Sequence, residues 1–182
     1  VEARHALLHA ARERGAVYGA NTGVGANRDE RTTDDGGSDV ADHGLRLLRS
    51  HCAGVGPEED DVTARATMTV RLNQILAGGS GVSRRIAEAL AAALHDGAVP
   101  SLHPWGAIGT ADLSALAELG LTLAGERPWR SGCGPVTTID ATDALPMISS
   151  SALTVATAAL AVTRVQSQLR ASTVVAALSF LA

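Results

Sequence analysis

The chain has 182 residues, 46% of them hydrophobic and only 2% aromatic, and carries a formal net charge of −4. This excludes a wholly disordered chain and leaves a core built mainly from Ala, Leu and Val, which favours close-packed helices over strands. Acids and arginines are interspersed, lysine is absent, and two Trp, one Tyr and one Phe supply no stacking platform, so nucleic-acid binding and lysine-based chemistry are excluded.

In chain order, residues 1–14 read as an amphipathic helix with Leu7, Leu8 and Ala11 on one side, ended by Gly15. Residues 16–38 read as a glycine-dense loop, mobile toward the run "RDERTTDDGGSD". A helix is expected from Asp39 to Ala53. "GVGP" breaks it, and Pro57 with Glu58, Glu59, Asp60 and Asp61 is expected to open the next helix, running to Ala77. After "GGSG", Ser83 can cap a helix to Asp96 that Gly97 closes. A loop with Pro100 and Pro104 precedes a helix from Asp112 to Ala124, and a short turn near 140–145 ends at Pro146. The last segment, Ser149 to Ala182, is apolar nearly all round in its first half and expects neighbours on every side, from an oligomer or a second chain.

No strand or repeat is expected, so the fold class is all-α, with residues 1–182 forming a single helical domain. Leu145–Thr163 lacks charge and is long enough to span a bilayer, but its proline, serines and threonines favour a buried core helix, with no membrane involved. Glu2, Arg4, Arg12, Glu13 and Arg14 replace the apolar core of a signal peptide, so a cytoplasmic location is expected, with Cys52 and Cys133 as buried free thiols.

Most motifs have plain readings. "GVGANR" (23–28) lacks a preceding strand and the third glycine of a dinucleotide fingerprint, and no Walker lysine exists. His5 and His9 are spaced as a metal pair on one helix face, but no acid or thiol nearby in sequence completes the set, so they read as a solvated face and no metal is expected. His43, His95 and His103 read as surface or capping residues, and Arg65 with Arg71 as a structural pair. "VYGANTGVGA" (17–26) is less ordinary, because it sets the only tyrosine, Tyr18, in a loop whose glycines allow close backbone approach to a ligand. A phenol is a poor base near neutrality unless cations or helix N-termini stabilise its anion.

In this order, "YGANTGVG", "SHCAGVG", "RATMTVRLNQILAGGSGV", "GAVPSLHPWGAIGTADLSALAELGLTLAGE" and "ALPMISSSALTVATAAL" resemble successive signatures of the histidine/phenylalanine ammonia-lyase family, covering residues 16–182. The resemblance implies an all-helical bundle of the fumarase/aspartase-like type, truncated here, that assembles as a tetramer with sites shared between subunits. It implies Tyr18 as general base and His51 as a substrate-contacting residue, with Asn21, Gly25 and Ser149 also toward substrate. Asp112, beside Thr110, would open a helix whose positive end stabilises negative charge.

The family's electrophile, a methylidene-imidazolone ring (MIO), forms by cyclisation of Ala-Ser-Gly. The glycine nitrogen attacks the alanine carbonyl, and the serine loses water. Here the segment reads "GAIGTADL", one residue short, with neither serine nor glycine between Gly109 and Asp112. Thr110 and Ala111 therefore mark a degenerate MIO position, and no cofactor is expected. Ser149, Ser150 and Ser151 stand where the family has Asn-Gly-Thr, Gly44 takes the place of a glutamine, and the chain is shorter than family members.

The expectation is a diverged, MIO-independent lyase-like subunit. It would catalyse elimination, isomerisation or cyclisation of a small carbonyl substrate and would be completed by a second chain carrying the C-terminal half. The alternatives are a non-catalytic pseudoenzyme or scaffold subunit and an active MIO-dependent aromatic amino acid ammonia-lyase with a matured ring at Ala111.

Overall fold

A computed structural model describes residues 1–32 and 40–181. Its helices are α1 (Glu2–Arg14), α2 (Val40–His51), α3 (Asp61–Leu76), α4 (Arg84–His95), α5 (Leu113–Leu123), α6 (Ala141–Ile148) and α7 (Ala152–Leu181). The expected start of α2 at Asp39, the acidic end of the first long loop and Ala182 lie outside the described residues.

The bundle is organised around α5. Every residue from Ser114 to Leu123 is buried, because the run "SALAELGLTL" offers small or aliphatic side chains on all sides. α5 packs on α2 and α6, α2 packs on α6, and α3 lies against α4 and the start of α7. The shared core runs through Leu48, Met68, Ile75, Ile86, Leu90, Leu116, Leu119 and Met147. Gly44 allows the tight meeting of α2 and α6: a Cβ there would stand 2.5 Å from the Asp140 backbone oxygen. No longer side chain fits at that position on this backbone.

Local chemistry shifts several boundaries. α3 begins at Asp61 and not at Pro57, because Asp60 is the residue that caps it, accepting from the Thr63 amide at 2.7 Å. Ser83 holds the cap position of α4, but its hydroxyl leaves the helix and donates to Asp143 at 3.1 Å. The expected turn before Pro146 is instead a full helix, α6, with the proline inside it. Asp140 anchors its first turn, accepting from the Thr142 and Asp143 amides, and Arg71 donates to the Pro146 and Met147 carbonyls at its end. Among the described residues the all-helical expectation has one small exception. Val99–Pro100 (β1) pairs antiparallel with Trp129–Ser131 (β2), a ladder too short to leave an alternation in sequence.

The two ends of the chain differ most from expectation. Leu7 is exposed and α1 contains no buried residue, although Leu8 packs on Gly81. In α7 only Ala152, Leu153 and Ala156 are buried, so the expected enclosure of this helix does not come from the described residues. By length and composition alone, the helical run from Ala141 to Leu181 could cross a membrane. Both cysteines are free as expected, but Cys133 is exposed and Cys52 half-buried.

Candidate active site

A cavity of about 590 Å³ gathers Tyr18, Gly25, His51, Thr110, Ala111 and Ser149, six residues from four separate segments that sequence reasoning singled out. Val24, Ile108, Leu113 and Leu145 complete its apolar walls.

The tyrosine loop is held from both sides. Gly19 adopts φ +72° and lies so close to Leu145 of α6 that any side chain would collide with it. Asn21 secures the other side: its Oδ1 accepts from the Val17 amide at 2.6 Å, and its Nδ2 donates to the Gly15 and Arg12 carbonyls at 2.9 and 3.2 Å. Asn21, expected toward substrate, does not line the cavity; its amide joins α1 to the loop. Tyr18 remains 52% exposed, and its hydroxyl oxygen accepts from the Gly25 amide at 2.8 Å. That bond fixes the phenol oxygen while leaving its own proton free for another partner.

His51 closes α2. Its Nδ1 lies 2.8 Å from the Leu47 carbonyl, which can only accept, so Nδ1 carries the proton and Nε2 is the ring's acceptor in the neutral form. The Ser50 hydroxyl donates to the same carbonyl at 2.7 Å.

The junction 109–112 runs from the exposed Thr110 into the buried Ala111 and Asp112. Asp112 is the residue before α5, yet its side chain makes no cap bond to that helix. It reaches α7 instead: Oδ2 accepts from the Thr154 amide at 2.8 Å and Oδ1 from the Thr154 hydroxyl at 2.7 Å. Its own amide donates to the Ser150 carbonyl at 2.8 Å. Asp112 is thus a staple between the junction and α7, and not a group lining the cavity. Because it serves α7, the first turn of α5 is left without a side-chain cap beside Thr110 and Ala111, so its leading amides keep no side-chain acceptor from Asp112.

Three supporting residues gave little sequence signal. Glu118, buried within α5, accepts from the His103 amide at 2.8 Å and from His103 Nδ1 at 2.7 Å, with Arg127 3.5 Å away. His103, expected at the surface, is thereby half-buried and ties the incoming loop to α5. Arg71 is fully buried, and burial pushes its guanidinium down to about 10. With Gln74, which accepts from Arg71 at 3.2 Å and from the Ser150 hydroxyl at 2.5 Å, it fixes the α6–α7 corner that presents Ser149. Burial also pushes the Cys52 thiol up, against the opposing pull of Arg127. The clue for Glu118 was a single acid within an apolar helix; Arg71 has the structural role read for it, though its bonds go to the Pro146 and Met147 carbonyls, and nothing marked Gln74.

The family model for aromatic amino acid lyases matches residues 1–182. A histidine ammonia-lyase from Sorangium cellulosum is 41% identical over 117 residues, covering 61% of this chain and 21% of the relative. A probable histidine ammonia-lyase from Halobacterium salinarum is 35% identical, covering 90% of this chain and 33% of the relative. Among solved structures, the ergothioneine-degrading enzyme ergothionase from Treponema denticola superposes with a TM-score of 0.80 at 28% identity, covering 90% of this chain and 35% of that one. The chain thus spans a third or less of the length of these curated relatives. Helical architecture, matched family model and related sequences agree: the chain belongs to the aromatic amino acid lyase family, of which it spans the N-terminal portion.

Proposed function

We propose that this chain carries the proton-transfer half of a diverged, MIO-independent lyase-like site acting on a small carbonyl compound. The observation that carries the reading is the cavity that sets Tyr18, His51 and Thr110 beside the uncapped N-terminus of α5. Tyr18, as phenolate, takes a proton from a carbon next to the substrate carbonyl. The electron pair of that C–H bond moves onto the carbonyl oxygen, and the enolate oxygen is stabilised by the α5 N-terminus and the Thr110 hydroxyl. Return of the proton to a different carbon isomerises the substrate; departure of a group from the β-carbon completes an elimination. His51 Nε2 and Ser149 orient the substrate's polar end. Asp112 acts through the placement of Thr110 and Ala111, and Asn21 through the placement of Tyr18.

The residues present do not fit the family's MIO ring. Neither the serine whose dehydration yields the methylene nor a glycine whose nitrogen cyclises is found between Gly109 and Asp112. Thr110 and Ala111 fill the junction instead, Thr110 exposed and Ala111 buried. No step above passes through such a group.

Further polypeptide completes the pocket in this reading. Val162, Val165, Leu169 and Leu178 of α7 are all at least half exposed, presenting an apolar surface for a tetramer-like assembly and a C-terminal half, here taken as a second chain in the cytoplasm. The exposure of Tyr18 favours one competing reading, a non-catalytic scaffold subunit.

Deuterium wash-in from heavy water distinguishes these readings, using phenylpyruvate as a small aromatic carbonyl probe and the assembled complex as catalyst. Catalysed exchange is expected, with a fall of about 10²-fold or more in Tyr18→Phe, the usual scale of a lost general base. Exchange unchanged in that variant supports the scaffold. Ammonia release from L-histidine or L-phenylalanine would contradict the MIO-independent reading.

A further inference from the structure

Away from the cavity, the fold completes a ligand set that the sequence leaves open. His5 and His9 share one face of α1, with ring centroids 4.5 Å apart and Nε2 atoms 3.0 Å apart. Across from them stands Asp140, the cap of α6, 131 residues beyond His9. One ligand atom from each of His5, His9 and Asp140 lies within 4.8 Å of the others. We infer that His5, His9 and Asp140 form a binding site for a divalent transition-metal cation, with zinc the best match, that clasps α1 onto α6. This inference is independent of the chemistry proposed for the cavity.

The second-sphere bonds argue for more than a solvated face. His5 Nδ1 lies 2.8 Å from the Gly81 carbonyl, which fixes the proton on Nδ1 and turns the Nε2 lone pair toward His9. An imidazole whose other nitrogen donates to a backbone carbonyl is the usual arrangement of a metal-bound histidine. Two nitrogens bound about 2.0–2.1 Å from a tetrahedral zinc stand about 3.3 Å apart; from the 3.0 Å hydrogen bond observed, binding needs a small opening and a shift of the His9 ring proton from Nε2 to Nδ1. Thr142 borders the site as well. Its hydroxyl donates to Asp140 Oδ1 at 2.6 Å, and its oxygen lies 3.2 Å from His9 Nε2.

The local charge also suits a cation. Buried Asp143 places Oδ1 4.0 Å from His5 Nδ1, and Arg85 offsets one of the two carboxylates, lying 2.7 Å from Asp140 and 2.5 Å from Asp143. Two carboxylates against one guanidinium give the side chains around the histidine pair an excess of negative charge. Two nitrogen donors select zinc-like metals over magnesium or calcium, which prefer all-oxygen sites. The hydrogen bonds already made by Asp140 imply that a bound metal takes one carboxylate lone pair from them, and water supplies the fourth position.

The consequence falls on α1, which lacks any buried residue and is joined to the Tyr18 loop through Asn21. A metal clasp would steady that loop from behind. The test is isothermal titration of the whole protein, freed of metal by chelator, with zinc chloride, together with the visible spectrum of the cobalt(II) form. Saturable binding of one equivalent is expected, with a tetrahedral cobalt spectrum and a raised melting temperature. His9→Gln, on the accessible face of α1, should weaken binding by at least about tenfold; His5→Gln should do the same, and His95→Gln should leave it unchanged. Lack of saturable binding, or binding insensitive to His9→Gln and His5→Gln in folded protein, overturns the inference. So does loss of binding in His95→Gln.

Discussion

Replacing Asp112 with alanine is the sharpest test of how the junction at 109–112 is held. The carboxylate makes two charge-assisted bonds, to the amide and hydroxyl of Thr154, at 2.8 and 2.7 Å. Hydrogen bonds to a charged group contribute about 1.5–3 kcal/mol each when their loss leaves a buried partner unsatisfied. Thr154 is exposed, so water replaces the carboxylate on both donors and the cost falls toward that of a lost helix cap. The expected destabilisation is about 2 kcal/mol, which lowers Tm by about 4–8 °C in a chain of this size. Differential scanning calorimetry of Asp112→Ala and Thr154→Val, singly and together, measures it. The double variant should be less destabilised than the sum of the singles by about 1 kcal/mol or more, since both lose the same contact. Asp112→Asn, which keeps one acceptor, should fall between. Additive effects, or an alanine variant melting with the parent, would refute the staple and return Asp112 to the role of a group acting in the cavity.

Other consequences are equally direct. Gly44→Gln should fail to restore a family-like side chain at that position and should destabilise by about 1–3 kcal/mol, because the Asp140 backbone occupies its space; urea unfolding reads this. Glu118→Leu leaves the half-buried His103 amide and ring without their acceptor and should cost about 1–3 kcal/mol, with faster amide exchange at His103 than in Glu118→Gln. The backbone amide of Thr63, then its hydroxyl, holds the Asp60 carboxyl below the usual carboxylate range. Its folded value being lowered, its stabilising effect is present above the unfolded value near pH 4 and is lost as pH falls through the folded one. Asp60→Asn should therefore flatten the acid limb of the Tm–pH profile.

What could be read from sequence divides along physical lines. Helices with regular apolar spacing and clear breakers, such as α4 and α5, were legible to within a residue or two, because local propensity and burial agree there. Tyr18, His51, Thr110, Ala111 and Ser149 were legible as a set only through the order of their motifs; the cavity then brings them together across 131 residues of chain. The partners of Asp112 and Asn21 were not legible. A short carboxylate before an apolar run signals a cap for the helix that follows, and only the approach of α7 redirects it to Thr154. The partners of Glu118 and Arg71 were hidden for a related reason, since a buried ionised group is explained by groups distant in sequence. The acid that completes the set with His5 and His9 escaped notice because it comes from the start of α6, not from the neighbourhood of α1.

The central claim is that residues 109–112 persist as an ordinary peptide beside Tyr18. Peptide mass spectrometry across Pro104–Leu119 of the natively purified protein, paired with its near-ultraviolet absorption spectrum, tests this most directly. The account predicts the unmodified mass of the encoded sequence through Thr110 and Ala111, and absorption from Trp and Tyr alone. A mass lowered by dehydration within this segment, with an added near-ultraviolet band from a conjugated ring, would contradict it.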